Sequence, residues 1–164
     1  MGQLPPVVIV HGLYHRPEHF DAVARRLRSS GVEAIVPELH RGSLAADTEA
    51  VQAAVDALHE PPLLLGHSYG GPVITGARGA RHWSIWRPAP GCGRGVPYHH
   101  SWKDTPSTYV VCGKDRAIDP ALQRTMASRC TEVREWGTGH SPFVGQPDLL
   151  VELLRELLVT GARS

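Results

Sequence analysis

The chain has 164 residues, 41% of them hydrophobic and 20% charged, with 17 Lys and Arg against 16 Asp and Glu for a formal net charge of +1. That length suits a single domain with a real core, and the composition argues against a disordered chain. The near-neutral balance, with no basic run, points to no nucleic-acid partner.

The start, "MGQLPPVVIVHG", lacks the charged opening, long apolar middle and cleavage site of a signal peptide. No apolar run approaches the ~20 residues of a membrane helix. Cys92, Cys112 and Cys130 are odd in number, widely spaced and form no C-x-x-C pair. A reduced, cytoplasmic setting is the expectation.

The chain alternates short apolar runs with helical periodicity. "PVVIV" (6–10) reads as a strand. Phe20, Val23, Ala24 and Leu27 follow the i, i+3, i+4, i+7 pattern of one helix face, with Pro17 fitting the first turn and Gly31 the end. "EAIVP" (33–37) is a second strand, and Val51, Ala54, Val55 and Leu58 repeat the helical stripe. "PLLLG" (62–66) is a third strand. A short helix to about residue 78 is expected after it, weakened by Gly70, Gly71 and Gly76.

Residues 79–101 are irregular, rich in glycine and proline. "HWSIW" (82–86) is the one strand candidate there, and its polar–apolar alternation is unusual for the middle of a covered sheet. "TYVVC" (108–112) is another strand. Asp119 and Pro120 fit the N-cap and first turn of a helix to about Arg129. "EVREW" (132–136) is a last strand and "PDLLVELLRELLV" (147–159) a leucine-rich closing helix. Strands alternating with helices predict a mostly parallel sheet of about six strands, covered on both faces.

The chemistry centres on Gly66-His67-Ser68-Tyr69-Gly70, a G-x-S-x-G pattern. A serine on a sharp strand-to-helix turn has strained backbone and an exposed hydroxyl. The five-residue pattern alone arises by chance in roughly one such chain in ten. Its place after "PLLL" and before a helix-compatible stretch is what gives it weight. A serine nucleophile needs a base, and the base needs a carboxylate. Asp115 follows the strand "TYVVC" and His140 follows "EVREW", so three groups fall at three strand ends. Asp119 is the alternative acid, or a helix cap. After the first strand, "HGLYH" (11–15) offers the N–H of Leu13 as an oxyanion donor, paired with that of Tyr69.

"VVIVHGLYH", "LLLGHSYGG", "STYVVCGKDRAI" and "WGTGHSPF" together resemble the α/β-hydrolase superfamily, nearest its small bacterial esterases and the salicylate-methylesterase-like or hydroxynitrile-lyase-like group. The likeness covers about residues 6–78 and 101–159. It implies a three-layer α/β sandwich, Ser68 as nucleophile, Asp115 as acid, His140 as base, and Leu13 and Tyr69 as oxyanion donors. One departure stands out. Asp115 follows Ser68 by only 47 positions, where relatives place a strand, a helical cap and another helix. The chain therefore reads as one domain, 1–164, with residues 79–101 in place of a cap. It is either a minimal capless hydrolase or a chain that has lost an internal piece.

Other constellations are weaker. His11, His15 and His19 are spaced by four like helical metal ligands, but Gly12 and Pro17 break any helix across them. His67 reads as packing in the elbow, and His99 and His100 as surface. Trp83, Trp86 and Trp102 line an acyl pocket or belong to ordinary packing. No P-loop or G-x-G-x-x-G implies a nucleotide. The expectation is a cofactor-free serine hydrolase of small carboxylic esters, with no nucleic-acid or membrane partner. The alternatives are a non-catalytic or truncated binding protein on this scaffold, and lyase or perhydrolase chemistry. Oligomeric state stays open.

Overall fold

The computed structural model describes residues 4–86 and 105–161, with side chains throughout except at 82–86. The readings placed on Cys92, His99, His100, Trp102 and the side chains of Trp83 and Trp86 lie outside the described residues, as does most of 79–101.

Among the described residues, thirteen short segments follow one another. Strand β1 (Val7–Val10) leads through a 3₁₀ turn (Pro17–Phe20) into α1 (Asp21–Ser29), then β2 (Ala34–Ile35) and α2 (Leu44–Asp56). Next come β3 (Leu63–His67), α3 (Gly70–Gly76), β4 (His82–Trp86), β5 (Ser107–Cys112) and α4 (Pro120–Ala127). The described chain closes with β6 (Glu132–Trp136), α5 (Pro142–Gly145) and α6 (Pro147–Gly161). The six strands form one sheet in the order β2-β1-β3-β4-β5-β6. Every pairing is parallel.

The continuous apolar strands have a simple cause, because both sheet faces are covered. Val7 and Ile9 of β1, Leu63 and Leu65 of β3 and Val110 and Cys112 of β5 pack against α1 and α6. The alternate residues, Val8, Val10, Leu64, Tyr109 and Val111, pack against α2, α3 and α4. Phe20, Val23, Ala24 and Leu27 are buried together, as their spacing predicts. "HWSIW" is a central strand after all, paired with β3 on one side and β5 on the other.

Several boundaries differ from the sequence reading. The second strand is only Ala34–Ile35, α3 ends at Gly76 and α4 at Ala127, and α2 begins at Leu44, ahead of the stripe that starts at Val51. The helix starts early because Ser43 caps it, its hydroxyl oxygen accepting the Ala46 N–H at 3.1 Å. Among the described residues, no helix is long and apolar enough to cross a membrane.

Candidate active site

All strands run parallel, so their carboxyl ends share one edge of the sheet. His11 follows β1, Ser68 follows β3, Asp115 follows β5 and His140 follows β6. The topology therefore gathers residues far apart in sequence.

The elbow is tight. Ser68 sits at φ +52°, a left-handed conformation that costs an L residue about 1–2 kcal/mol. Its neighbours must be small. A Cβ on Gly70 would lie 2.1 Å from the Val10 carbonyl oxygen, and one on Gly66 would lie 2.8 Å from the Gly70 carbonyl oxygen. Helix α3, the Ser68 turn and β1 are thus packed backbone to backbone.

Asp115 and His140 meet. The His140 Nδ1–H donates to Asp115 Oδ2 at 2.8 Å, which leaves the lone pair on Nε2. Asp115 is buried and held on all sides. Its Oδ1 accepts the N–H groups of Ala117 at 2.7 Å and Ile118 at 3.0 Å. Its Oδ2 also accepts the side-chain N–H of Gln123 at 2.9 Å. Asp119 caps α4 instead, accepting the Ala121 N–H at 2.8 Å. Among the described residues, the Ser68 hydroxyl has no hydrogen-bond partner, as is common before substrate tightens such a site.

Leu13 lies on the loop after β1, and Tyr69 in the elbow turn directly after Ser68, at the N-cap of α3. Neither backbone N–H has an acceptor among the described residues. The loop and the turn touch, since a Cβ on Gly12 would lie 3.1 Å from Ser68 Cβ and 2.9 Å from His67 Nδ1. The Leu13 side chain itself is half exposed and Tyr14 is 90% exposed.

Three residues near this site carry roles that the sequence reading did not assign. Gln123 is buried on α4, where its Oε1 accepts the Cys112 N–H at 2.9 Å while its amide N–H groups reach Asp115 and the Ile118 carbonyl. Asp47 is buried in the first turn of α2. It accepts the Tyr69 hydroxyl at 2.7 Å and the Arg41 N–H at 2.9 Å. Burial, reinforced by this bond, holds the Tyr69 phenol well above its usual range. His67 donates from Nε2 to the His140 carbonyl at 2.8 Å. The available signal for Gln123 and Asp47 was a polar residue on an apolar helix stripe: Gln123 with Met126 and Ala127, Asp47 with Val51 and Val55.

Imidazoles crowd the same edge. His15 lies against His67, His19 and Phe143, with ring centroids 4.9, 5.4 and 5.2 Å away. Burial, helped by the neighbouring imidazoles, lowers His15 to about 4. Burial likewise lowers His67 to about 3 and pulls His11 down. These rings are neutral at pH 7. Among the described residues, no three His, Cys, Asp or Glu side chains are grouped to hold a metal ion.

The model of the Alpha/beta hydrolase family matches residues 7–82 and 75–153. An "Alpha/beta hydrolase nvfD" from Aspergillus novofumigatus (strain IBT 16806) is 22% identical over 238 aligned positions, covering 92% of this chain and 95% of that protein. The relative therefore carries long stretches that this 164-residue chain lacks. A pyrethroid hydrolase from Sphingobium faniae JZ-2 superposes with a TM-score of 0.78 at 16% identity, over 98% of this chain and 99% of that one. Polyneuridine aldehyde esterase superposes with a TM-score of 0.78 at 13% identity, over 94% and 99%. The parallel sheet, the strained serine elbow and the match across most of its length agree: the chain belongs to the Alpha/beta hydrolase family.

Proposed function

We propose that this protein is a cofactor-independent serine hydrolase of carboxylic esters, working through an acyl-enzyme. The observation that carries the reading is the Asp115–His140 pair at 2.8 Å, on the same sheet edge as the strained Ser68 elbow. Asp115 fixes the base with its lone pair on Nε2. That nitrogen takes the Ser68 proton as Oγ bonds to the ester carbonyl carbon. The carbonyl oxygen, now an oxyanion, is held by the unengaged N–H groups of Leu13 and Tyr69, a type of donor worth about 3 kcal/mol each in the transition state. His140 returns the proton to the leaving alcohol as the ester bond breaks. Water then attacks the acyl carbon, loses its proton to His140 and frees the acid, and Ser68 recovers its proton.

Hydrolase and esterase relatives support ester cleavage as the reaction class. The reading extends to a single capless domain with an open site, which favours small, short-acyl esters with weak selectivity. Equal turnover of long-chain and short-chain p-nitrophenyl esters would refute that preference. The deciding experiment is treatment with a fluorophosphonate probe and mapping of the adduct. Labelling is expected at Ser68, lost in Ser68→Ala and strongly slowed in His140→Ala. A folded protein that resists the probe would favour a non-catalytic binding role on the same scaffold.

A further inference from the structure

We infer that His67 is the positioning residue that registers the loop bearing His140 on the nucleophile elbow, through its Nε2–H bond to the His140 carbonyl. The inference rests on the hydrolase reading for its kinetic consequence, not for its structural one.

The need for such a device follows from the sheet. Ser68 follows β3 and His140 follows β6, and two strands, β4 and β5, lie between them. No direct pairing of β3 with β6 sets the distance between nucleophile and base, which the sheet relays only through two intervening strands. The described bonds around the base mostly tie it to the acid: Asp115 to His140, Gly113 N–H to the Trp136 carbonyl at 2.7 Å, and Lys114 N–H to the Thr138 carbonyl at 2.9 Å. Those bonds fix base to acid and leave the pair to be placed against Ser68. His67 spans that gap, because it precedes Ser68 in the chain and reaches a main-chain atom 73 residues on, at 2.8 Å. Ser141 and His15 add a second tie, Oγ to Nε2 at 3.1 Å, which reaches the loop after β1 and not the elbow itself.

The ring is built to act as a fixed donor. A carbonyl oxygen only accepts, so the proton sits on Nε2. The ring is fully buried and neutral far below pH 7. Its orientation is set by Phe143 at 4.8 Å and 76°, by His15 at 4.9 Å and 90°, and by the ring of His140 at 4.9 Å. Phe20 stacks on Phe143 behind them, with centroids 3.9 Å apart. A rigid donor aimed at the base's own backbone limits how far that base swings from the serine. Misplacement of a reacting group by about 1 Å commonly costs about 100-fold in rate.

Two substitutions separate donor from ring. His67→Gln keeps an N–H near the Nε2 position; His67→Phe keeps the ring and loses the donor. Hydrogen–deuterium exchange over residues 137–141 reads loop placement, and the rate of fluorophosphonate labelling reads its consequence. The expected result is faster exchange of that segment in His67→Phe, labelling about 10–100-fold slower, and unchanged KM for a short ester. His67→Gln should restore both exchange and labelling most of the way. Wild-type exchange in a folded His67→Phe would overturn the inference, and so would equal losses in the two variants. Should Phe prevent folding, the wild type labelled with ¹⁵N-histidine decides. A slowly exchanging Nε2–H on His67 supports the bond, and a rapidly exchanging one refutes it. A wild-type protein that never labels would sink the hydrolase reading, while the exchange and imidazole measurements still judge His67.

Discussion

Gln123 shows how much of this site is held by a residue that touches no reacting atom. Its amide is fully used, accepting from Cys112 at the end of β5 and donating to Asp115 and to the Ile118 carbonyl. Gln123→Leu keeps comparable bulk and removes all three bonds. The Cys112 N–H loses its acceptor and Asp115 Oδ2 keeps one donor fewer. Buried groups left unsatisfied cost about 1–3 kcal/mol each, so the urea midpoint should fall well clear of error. Labelling of Ser68 should slow as well, because the carboxylate that orients His140 is less constrained. An unchanged midpoint would show that water replaces the amide without loss. The residues proposed to bear the chemistry could be picked out in the sequence, since Ser68, Asp115 and His140 each stand just past a recognisable strand. Gln123, Asp47 and His67 were not, because their roles are defined by partners 8, 22 and 73 positions away. Only the misfit of a polar side chain on an apolar stripe hinted at the first two.

The elements divide their work between packing and placement. Helix α6 is mainly packing: Leu150, Leu154, Leu157 and Leu158 are all buried against α1 and the sheet. Leu154→Ala should therefore destabilise the fold by about 2–5 kcal/mol in chemical denaturation. The ion pair of Arg124 and Glu135, which joins α4 to β6, is a useful contrast. Both side chains are about half exposed, so water and salt screen the attraction. Glu135→Gln should leave the denaturation midpoint nearly where it was. If the two substitutions proved equally costly, the core would not be the main source of stability. At this scale the sequence reading did well where periodicity had one meaning. The β1, β3 and β5 runs and the α1 stripe were clear because burial alone dictated them. The stripe at Val51 did not mark the start of α2 because Leu44, Ala45 and Ala46 stand side by side rather than at helical spacing, and the cap at Ser43 has no glutamate or glutamine three residues on to flag it. "HWSIW" looked too polar for its central place, since pairing on both sides is set by topology rather than by composition.

The molecule keeps the sheet edge proposed to carry the chemistry while being much shorter than the relative aligned with it over 238 positions. Around that edge it concentrates imidazoles: His11, His15, His40, His67 and His140 link to one another by ring contacts at 4.9 to 5.1 Å or by hydrogen bonds through backbone carbonyls. Burial makes several of them poor proton acceptors, with consequences for the entire fold. An unfolded histidine titrates near 6.5, whereas His15 is lowered to about 4 and His67 to about 3, with His11 also depressed. Below about pH 6.5 the unfolded chain takes up protons that the folded chain refuses. Stability is therefore greatest above pH 6.5 and falls steadily as the pH drops towards about 4, where the folded rings begin to charge. The melting temperature should decline across that window before most carboxylates have titrated. His15→Asn isolates the cause. It removes one depressed group, so its melting temperature should start lower at pH 7 yet decline less between pH 6.5 and 4.5 than that of the wild type. Parallel curves for the two proteins would show that His15 does not drive the acid sensitivity. A flatter curve for the variant would place that sensitivity in the imidazole cluster beside Ser68, so that the edge proposed for ester chemistry would also be the part of the fold most exposed to acid.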